Sequence, residues 1–334
     1  MSLTVNGKGK TQKKKGLIYC MSHLKLSFEI WPNMPWGRLD NCGPASNSWG
    51  DKSLDWCLTR IADYGYEGFD VIYPKIQELR PHEYDEQVKK VRSIMEKRDL
   101  AFSSIGCHTT FVSPRHFDRE NGIAKFKKAI DAAADMGAET VVTLIGDGYY
   151  DPPLYNLITR KDAWDQVVTA TQEVADYAKQ FNIDVSIELI QGTIINDIPS
   201  VIKLFELVDR ENVYCCVDVG TFYTTVKPKM PIKEAIQKLG DRIKVVHVKD
   251  EVGFPNIIQS QHVWFGGGYV DFAEMADALK AINYKHYNSV EWEAWQAGGL
   301  FGVGEPSGIG LSDFDRVAVE AKEYLEENGW GKLK

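Results

Sequence analysis

The chain has 334 residues, 44% hydrophobic and 26% charged, with a formal net charge of -8. That balance suits a soluble globular protein and argues against nucleic acid as a partner, which needs a basic face. Its six cysteines include no C-x-x-C pair and build no disulfide framework, which points to a reducing cytoplasm, and no apolar run is long enough to cross a membrane.

Residues 1–15, MSLTVNGKGKTQKKK, read as a polar, lysine-rich extension ahead of a single domain at 16–334. A solvated terminus is the plain expectation. A tail this polar is ordered only where something holds it, which points to a homo-oligomer. From there short β-rich runs alternate with amphipathic helical stretches. Strands are expected at 16–24 (GLIYCMSHL), 68–74, 101–108, 139–146, 184–190, 213–220, 243–250 and 287–295 (YNSVEWEAW). Several are near-continuous apolar runs, the pattern of strands covered on both faces.

The helices between them are plainer. Ile123, Phe126, Ile130 and Ala133 share one helical face, and Gly137 supplies the stop. Trp164, Val167, Val168, Thr171, Val174, Ala175 and Ala178 form another such face. Asp197 is placed to cap a helix with Pro199 in its first turn, and a final helix ends at Gly329. Eight strand–helix pairs are the count of a (β/α)8 TIM barrel in one α/β domain. A doubly wound sheet is disfavoured, because no glycine-rich phosphate loop follows the first strand. FGGGYV (265–270) lacks the required spacing and reads as a turn.

Two βα loops are long. FEIWPNMPWGRLDNCGPASNSWGDKSLDW carries Trp31, Trp36, Trp49 and Trp56, and its Pro, Gly and Asn content suits a lid. Trp56 begins a helix, so packing accounts for it. Trp36 is a candidate to stack on a sugar face or an aromatic aglycone. The second loop, EVGFPNIIQSQHVWFGGGYV, brings Trp264 as a further candidate.

In such a barrel, function gathers at the C-terminal ends of the strands. Four consecutive strands carry a metal-capable residue there: Glu188 in DVSIELI, Asp218 in CVDVG, His247 in VVHVKD and Glu291 in SVEWEAW. A lone acid or histidine on a strand is usually structural; four in register would surround one point. Inward carboxylates need positive charge, and a divalent metal supplies it. Three carboxylates and one imidazole form an oxygen-rich set suited to Mn2+, Mg2+ or Co2+. Spacing alone leaves open whether Glu291 or Glu293, two apart on one strand face, is the ligand.

The runs SIEL, VDVG, HVKD and SVEWE, with GGGYVDFAEMADAL before the last strand, resemble the sugar phosphate isomerase/epimerase group of the xylose isomerase-like TIM barrels. The resemblance covers most of the chain. It implies one divalent metal, manganese first, held by Glu188, Asp218, His247 and Glu291, with Glu293 beside the site or facing the substrate. It also implies that the metal chelates a sugar's carbonyl and neighbouring hydroxyl oxygens and stabilises an enediolate. Glu188 and Glu291 then move the proton as acid and base. Isomerisation or epimerisation of a small sugar is the first activity expected.

The chain departs from the ketose epimerases of that group at two positions. They carry a histidine three residues after the metal Asp and an arginine six after the metal His, where this chain has Thr221 and Gly253. Other members of the superfamily expel a leaving group after the same proton abstraction. These lyases include dehydratases and the barrel subunits of C-glycoside-deglycosylating enzymes, which act on 3-keto glycosides with a small partner subunit. Such chemistry needs an acid for the departing group, and His108 in GCHTTF is the candidate. Lys249, on the strand face of His247, would polarise a substrate oxygen. The plain alternatives are a polar lining role for His108 and a pair with Asp250 or Glu251 for Lys249. No phosphate-gripping motif is visible, so an unphosphorylated sugar or glycoside is expected. A non-catalytic sugar-binding barrel has less reason to keep four ligands. A DNA-repair endonuclease of the related barrel type is disfavoured by the acidic balance and by only seven histidines.

Overall fold

The computed structural model describes residues 23–33, 38–43, 53–72, 81–145, 157–190, 193–224, 230–253, 260–292 and 314–331. The lysine-rich extension, Trp36, Trp49 and Glu293 lie outside the described residues. The strands are β1 (Lys25–Asn33), β2 (Arg38–Gly43), β3 (Gly68–Ile72), β4 (Ala101–Gly106), β5 (Ala138–Leu144), β6 (Asp184–Glu188), β7 (Val213–Asp218), β8 (Ile243–Val248), β9 (Asp250–Gly253), β10 (Ser260–Val263) and β11 (Tyr287–Val290). The helices are α1 (Leu54–Asp63), α2 (Pro81–Arg98), α3 (His116–Met136), α4 (Arg160–Lys179), α5 (Ile198–Val208), α6 (Val219–Thr224), α7 (Ile232–Leu239), α8 (Phe272–Ala281) and α9 (Phe314–Glu327).

The parallel strands run β1-β3-β4-β5-β6-β7-β8-β11, and β11 pairs back onto β1, so eight strands close the expected barrel. β2 folds back antiparallel on β1, and β9 with β10 forms a separate hairpin inside the second long loop. Most of the strand expected at 16–24 lies outside the described residues, and the first barrel strand among them is Lys25–Asn33. Its sequence is KLSFEIWPN. Leu26, Phe28 and Ile30 are buried in the main core with residues of the surrounding helices, while the alternate Ser27 and Glu29 are also buried. The interior of the barrel thus takes a serine and a carboxylate, which break the apolar run that marks the other strands. Residues 28–33, expected in the tryptophan-rich loop, belong to this strand.

Inward and outward faces separate cleanly elsewhere too. Val141, Cys215 and Val246 pack under the helices, whereas their neighbours Val142, Cys216 and Val245 form a small cluster of their own. Each side chain so buried contributes about 1.5–3 kcal/mol of transfer free energy before conformational entropy is charged against it. The helix ends follow their local chemistry. Gly137 closes α3 in the left-handed region at φ 89, and Asp197 caps α5 through a capping box with Ser200. The first and last helices are tied directly, since Arg60 of α1 donates two bonds to Asp315 of α9 at 2.8 and 2.9 Å.

Candidate active site at the barrel mouth

Glu188 ends β6, Asp218 ends β7, His247 is the penultimate residue of β8, and Glu291 follows β11 directly. The ladder pairs Asp218 with His247 and Ser289 with His247, so the register carries these side chains to one end of the barrel. One oxygen from each of Glu188, Asp218 and Glu291 lies within 4.8 Å of the others. His247 Nδ1 stands 3.2 Å from both Glu188 Oε1 and Glu291 Oε2. All four residues are 5% exposed or less.

Lys249 enters the same ring. Its Nζ lies 2.9 Å from Asp218 Oδ2 and 2.7 Å from Glu291 Oε2. The local pair with Asp250 is not formed, because alternation sends Asp250 to the opposite face of the chain. There the Asp250 carboxylate accepts N–H bonds from Glu251, Gly266, Gly268 and Val270 at 2.8–3.3 Å. This holds the FGGGYV turn: a Cβ on Gly268 would sit 2.0 Å from Asp250 Oδ1, so only glycine fits.

The charges divide the acids. Burial alone would raise every carboxyl here. Glu188 and Glu291 are nonetheless held below the usual carboxylate range: His247 outweighs burial for the first, and Lys249 with His247 outweighs it for the second. Asp218 is pushed up to about 8 by burial, against the pull of Lys249. Burial disfavours the His247 imidazolium, but Cys216, Glu188 and Glu291 around it together move its pKa well above the ordinary value. Two nitrogen groups, the Lys249 ammonium and the His247 imidazole, thus stand among the carboxylates of the site.

His108 lies two residues beyond β4, half-buried, and its imidazole is close enough to help lower the Glu188 pKa. Trp264, just after β10, stacks on Trp292 with ring centroids 4.8 Å apart, and Trp292 adjoins Glu291. The guanidinium of Arg316 lies 4.5 Å from the Trp264 ring centroid. Trp264 Nε1 is buried without a hydrogen-bond partner among the described residues. Trp56 is partly buried against the core.

Three further residues join the cluster that the strand-end pattern does not single out. Cys216 of β7 places its sulfur within 4.8 Å of a Glu188 oxygen and a His247 nitrogen, and burial pushes its thiol up to about 12, so it is a neutral thiol. Glu29 of β1 and Asp70 of β3 are 1% and 2% exposed. Burial raises Glu29 well above the carboxylate range and takes Asp70 to about 6. The signal that finds both is the one that finds Glu291: an acid inside an otherwise apolar strand, in LSFEI and GFDVI.

A family model described as the xylose isomerase-like TIM barrel matches residues 58–308. Among curated relatives, inosose dehydratase of Clostridium perfringens is 21% identical over 296 residues, 83% of this chain and 90% of that protein. Among solved structures, the 3-keto-D-glucoside 4-epimerase YcjR from E. coli superposes with TM-score 0.66 at 14% identity, over 91% of this chain and 99% of its own. The IolI protein, solved with a bound zinc atom, gives TM-score 0.64 at 18% identity, over 91% and 96%.

Proposed function

The chain belongs to the xylose isomerase-like TIM barrel family, and from that premise we propose a divalent-metal-dependent enzyme that abstracts a proton beside the ketone of a sugar or sugar-like polyol. The observation that carries the reading is the buried ring of Glu188, Asp218, Glu291 and His247, with acid oxygens within 4.8 Å and His247 Nδ1 at 3.2 Å from two of them. Three carboxylates and an imidazole suit a divalent ion, for which Mn2+ is our first choice; the zinc in IolI makes such a site reasonable in this fold. A bound ion would supply Lewis-acid polarisation of the ketone and of the hydroxyl beside it.

The rest falls to the chain's own side chains. Glu188 and Glu291 come from strands on different sides of His247, and both stay ionised at neutral pH, as a base must. One takes the proton and the other, or the same one, returns it. Lys249, beside Asp218 and Glu291, offers an N–H donor for a substrate oxygen. His108, half-buried and close enough to Glu188 to act on its pKa, is the proposed acid for a leaving group. Trp264, stacked on the Trp292 that adjoins Glu291, is the proposed stacking surface for substrate, and Trp36 and Glu293 stay candidate contacts on the sequence alone.

Return of the proton gives an isomerase or epimerase; loss of a β-substituent gives a lyase. Elimination has a specific observation in its favour: Thr221 and Gly253 replace the histidine and arginine expected of a ketose epimerase, while Lys249 and His108 supply donors. The inosose dehydratase likeness over 83% of the chain points the same way. In the branch that uses 3-keto glycosides, a small partner subunit would accompany the barrel.

Product analysis of the metal-loaded protein tests the reading with free ketoses, an inosose and 3-keto glycosides bearing aromatic aglycones. Release of water or aglycone is expected; interconverted ketoses would establish the epimerase instead, and no product from any substrate would remove the enzyme reading. In the same assay His108→Ala should slow turnover by roughly 10²–10⁴-fold, the usual worth of a general acid, with metal content intact. Unchanged turnover would reduce His108 to a wall residue.

A further inference from the structure

Two acids inside the barrel have no part in that reaction. Glu29 and Asp70 are Cα partners in the ladder of β1 and β3. Closure of the barrel through β11 and β1 brings them against His247 of β8. Asp70 Oδ2 lies 3.9 Å from His247 Nε2, on the far side of the imidazole from the Nδ1 that faces Glu188 and Glu291. Ser289 Oγ donates to the other oxygen of Asp70, and Ser289 is the Cα partner of His247. The strand beside the histidine thus fixes the carboxylate behind it. Glu29 closes the group: an oxygen of Glu29, one of Asp70 and a nitrogen of His247 lie within 4.8 Å of one another, and neither Glu29 oxygen has a hydrogen-bond partner among the described residues.

We propose that Asp70 is a positioning residue for His247, holding the hydrogen on Nε2 so that the Nδ1 lone pair is presented to the metal. The inference rests on the metal reading above. Nδ1 faces two carboxylates at 3.2 Å that a bound ion would draw to itself, which leaves Asp70, 3.9 Å from Nε2, as the carboxylate toward which the single hydrogen of a neutral imidazole turns. Partners behind a metal-binding histidine fix its tautomer and ring angle and strengthen it as a donor. A structural role alone gives no reason to place an acid here, since apolar side chains fill a barrel interior at lower cost.

Asp70→Asn tests this. The amide keeps the shape and can still accept from Ser289, but its NH2 can be turned to Nε2, which favours hydrogen on Nδ1 and removes the lone pair from the metal side. Metal-free wild type, Asp70→Asn, Glu29→Gln and Glu188→Gln are titrated with Mn2+ by calorimetry, and their Co2+ forms are compared by visible absorption. Wild type should bind one equivalent. Asp70→Asn should bind on the order of 10–100-fold more weakly, with a shifted Co2+ spectrum and native circular dichroism. Should Asp70→Asn fail to fold, Ser289→Ala frees the carboxylate and is expected to lower affinity in the same sense, by less. Wild-type affinity and spectrum in whichever variant folds would overturn the proposal while leaving the metal reading intact. A wild type that binds no metal overturns both. A second equivalent of metal, lost in Glu29→Gln, would replace positioning with a second cation site at Glu29, Asp70 and His247.

Discussion

Glu188→Gln is expected to fold and to lose its divalent metal, and Asp218→Asn to do the same. Each change is close to isosteric and removes one acid from an interior that also holds Glu29, Asp70 and Glu291. Asp218 is pushed up to about 8 by burial, so little charge is lost there, and Glu188→Gln gives up one attraction to His247 that Glu291, also 3.2 Å from Nδ1, still supplies. The metal needs both acids. Loss of a direct oxygen donor should weaken binding beyond the roughly 10–100-fold that a supporting partner commands. Metal content after dialysis, together with thermal melting of the metal-free proteins, reads both halves. A variant that melts like wild type and keeps a full equivalent of metal would end the ligand assignment.

Lys249→Met should act in the opposite way, on stability first. Lys249 is 4% exposed, and its ammonium lies between Asp218 Oδ2 and Glu291 Oε2 at 2.9 and 2.7 Å. Removing one side of a buried ion pair leaves the other side uncompensated, at about 3–5 kcal/mol. Metal-free Lys249→Met is therefore expected to melt well below metal-free wild type. Mn2+ should restore more of the loss than it adds to wild type, because the ion brings back the positive charge that the variant lacks. Denaturant unfolding with and without Mn2+ measures the two differences. Equal stability of the metal-free proteins would show that Lys249 does not balance these acids.

The barrel was legible because its strands and helices carry different periods, and because helix signals such as Asp197 and Gly137 act locally. The first strand was not, because the apolar-run criterion chose GLIYCMSHL over KLSFEIWPN, whose inward positions hold Ser27 and Glu29. The hairpins β1–β2 and β9–β10 were missed for a different reason: both lie inside loops whose Pro, Gly and Asn content announces turns but not pairing. At the site, one residue per strand end on β6, β7 and β8 was readable from spacing, whereas on β11 spacing left Glu291 and Glu293 open and only the family resemblance chose Glu291. The partners of Lys249 were not readable. Of the sequence neighbours, Asp250 is turned away to organise the glycine turn, while Lys249 on the face of His247 reaches Asp218 and Glu291 on other strands. Glu29 and Asp70 carried the signal of Glu291 but sit on the first two barrel strands. They meet the others only because β11 closes onto β1.

The measurement that bears most directly on the account follows the abstracted proton itself. An inosose and a 3-keto glycoside are incubated in D2O with metal-loaded protein, with metal-stripped protein and with none, and the carbon beside the ketone is watched by NMR. The account predicts deuterium at that carbon, or loss of the group next to it, with the metal-loaded protein alone. Neither change in the metal-loaded sample, or equal rates after the metal is stripped, would contradict it.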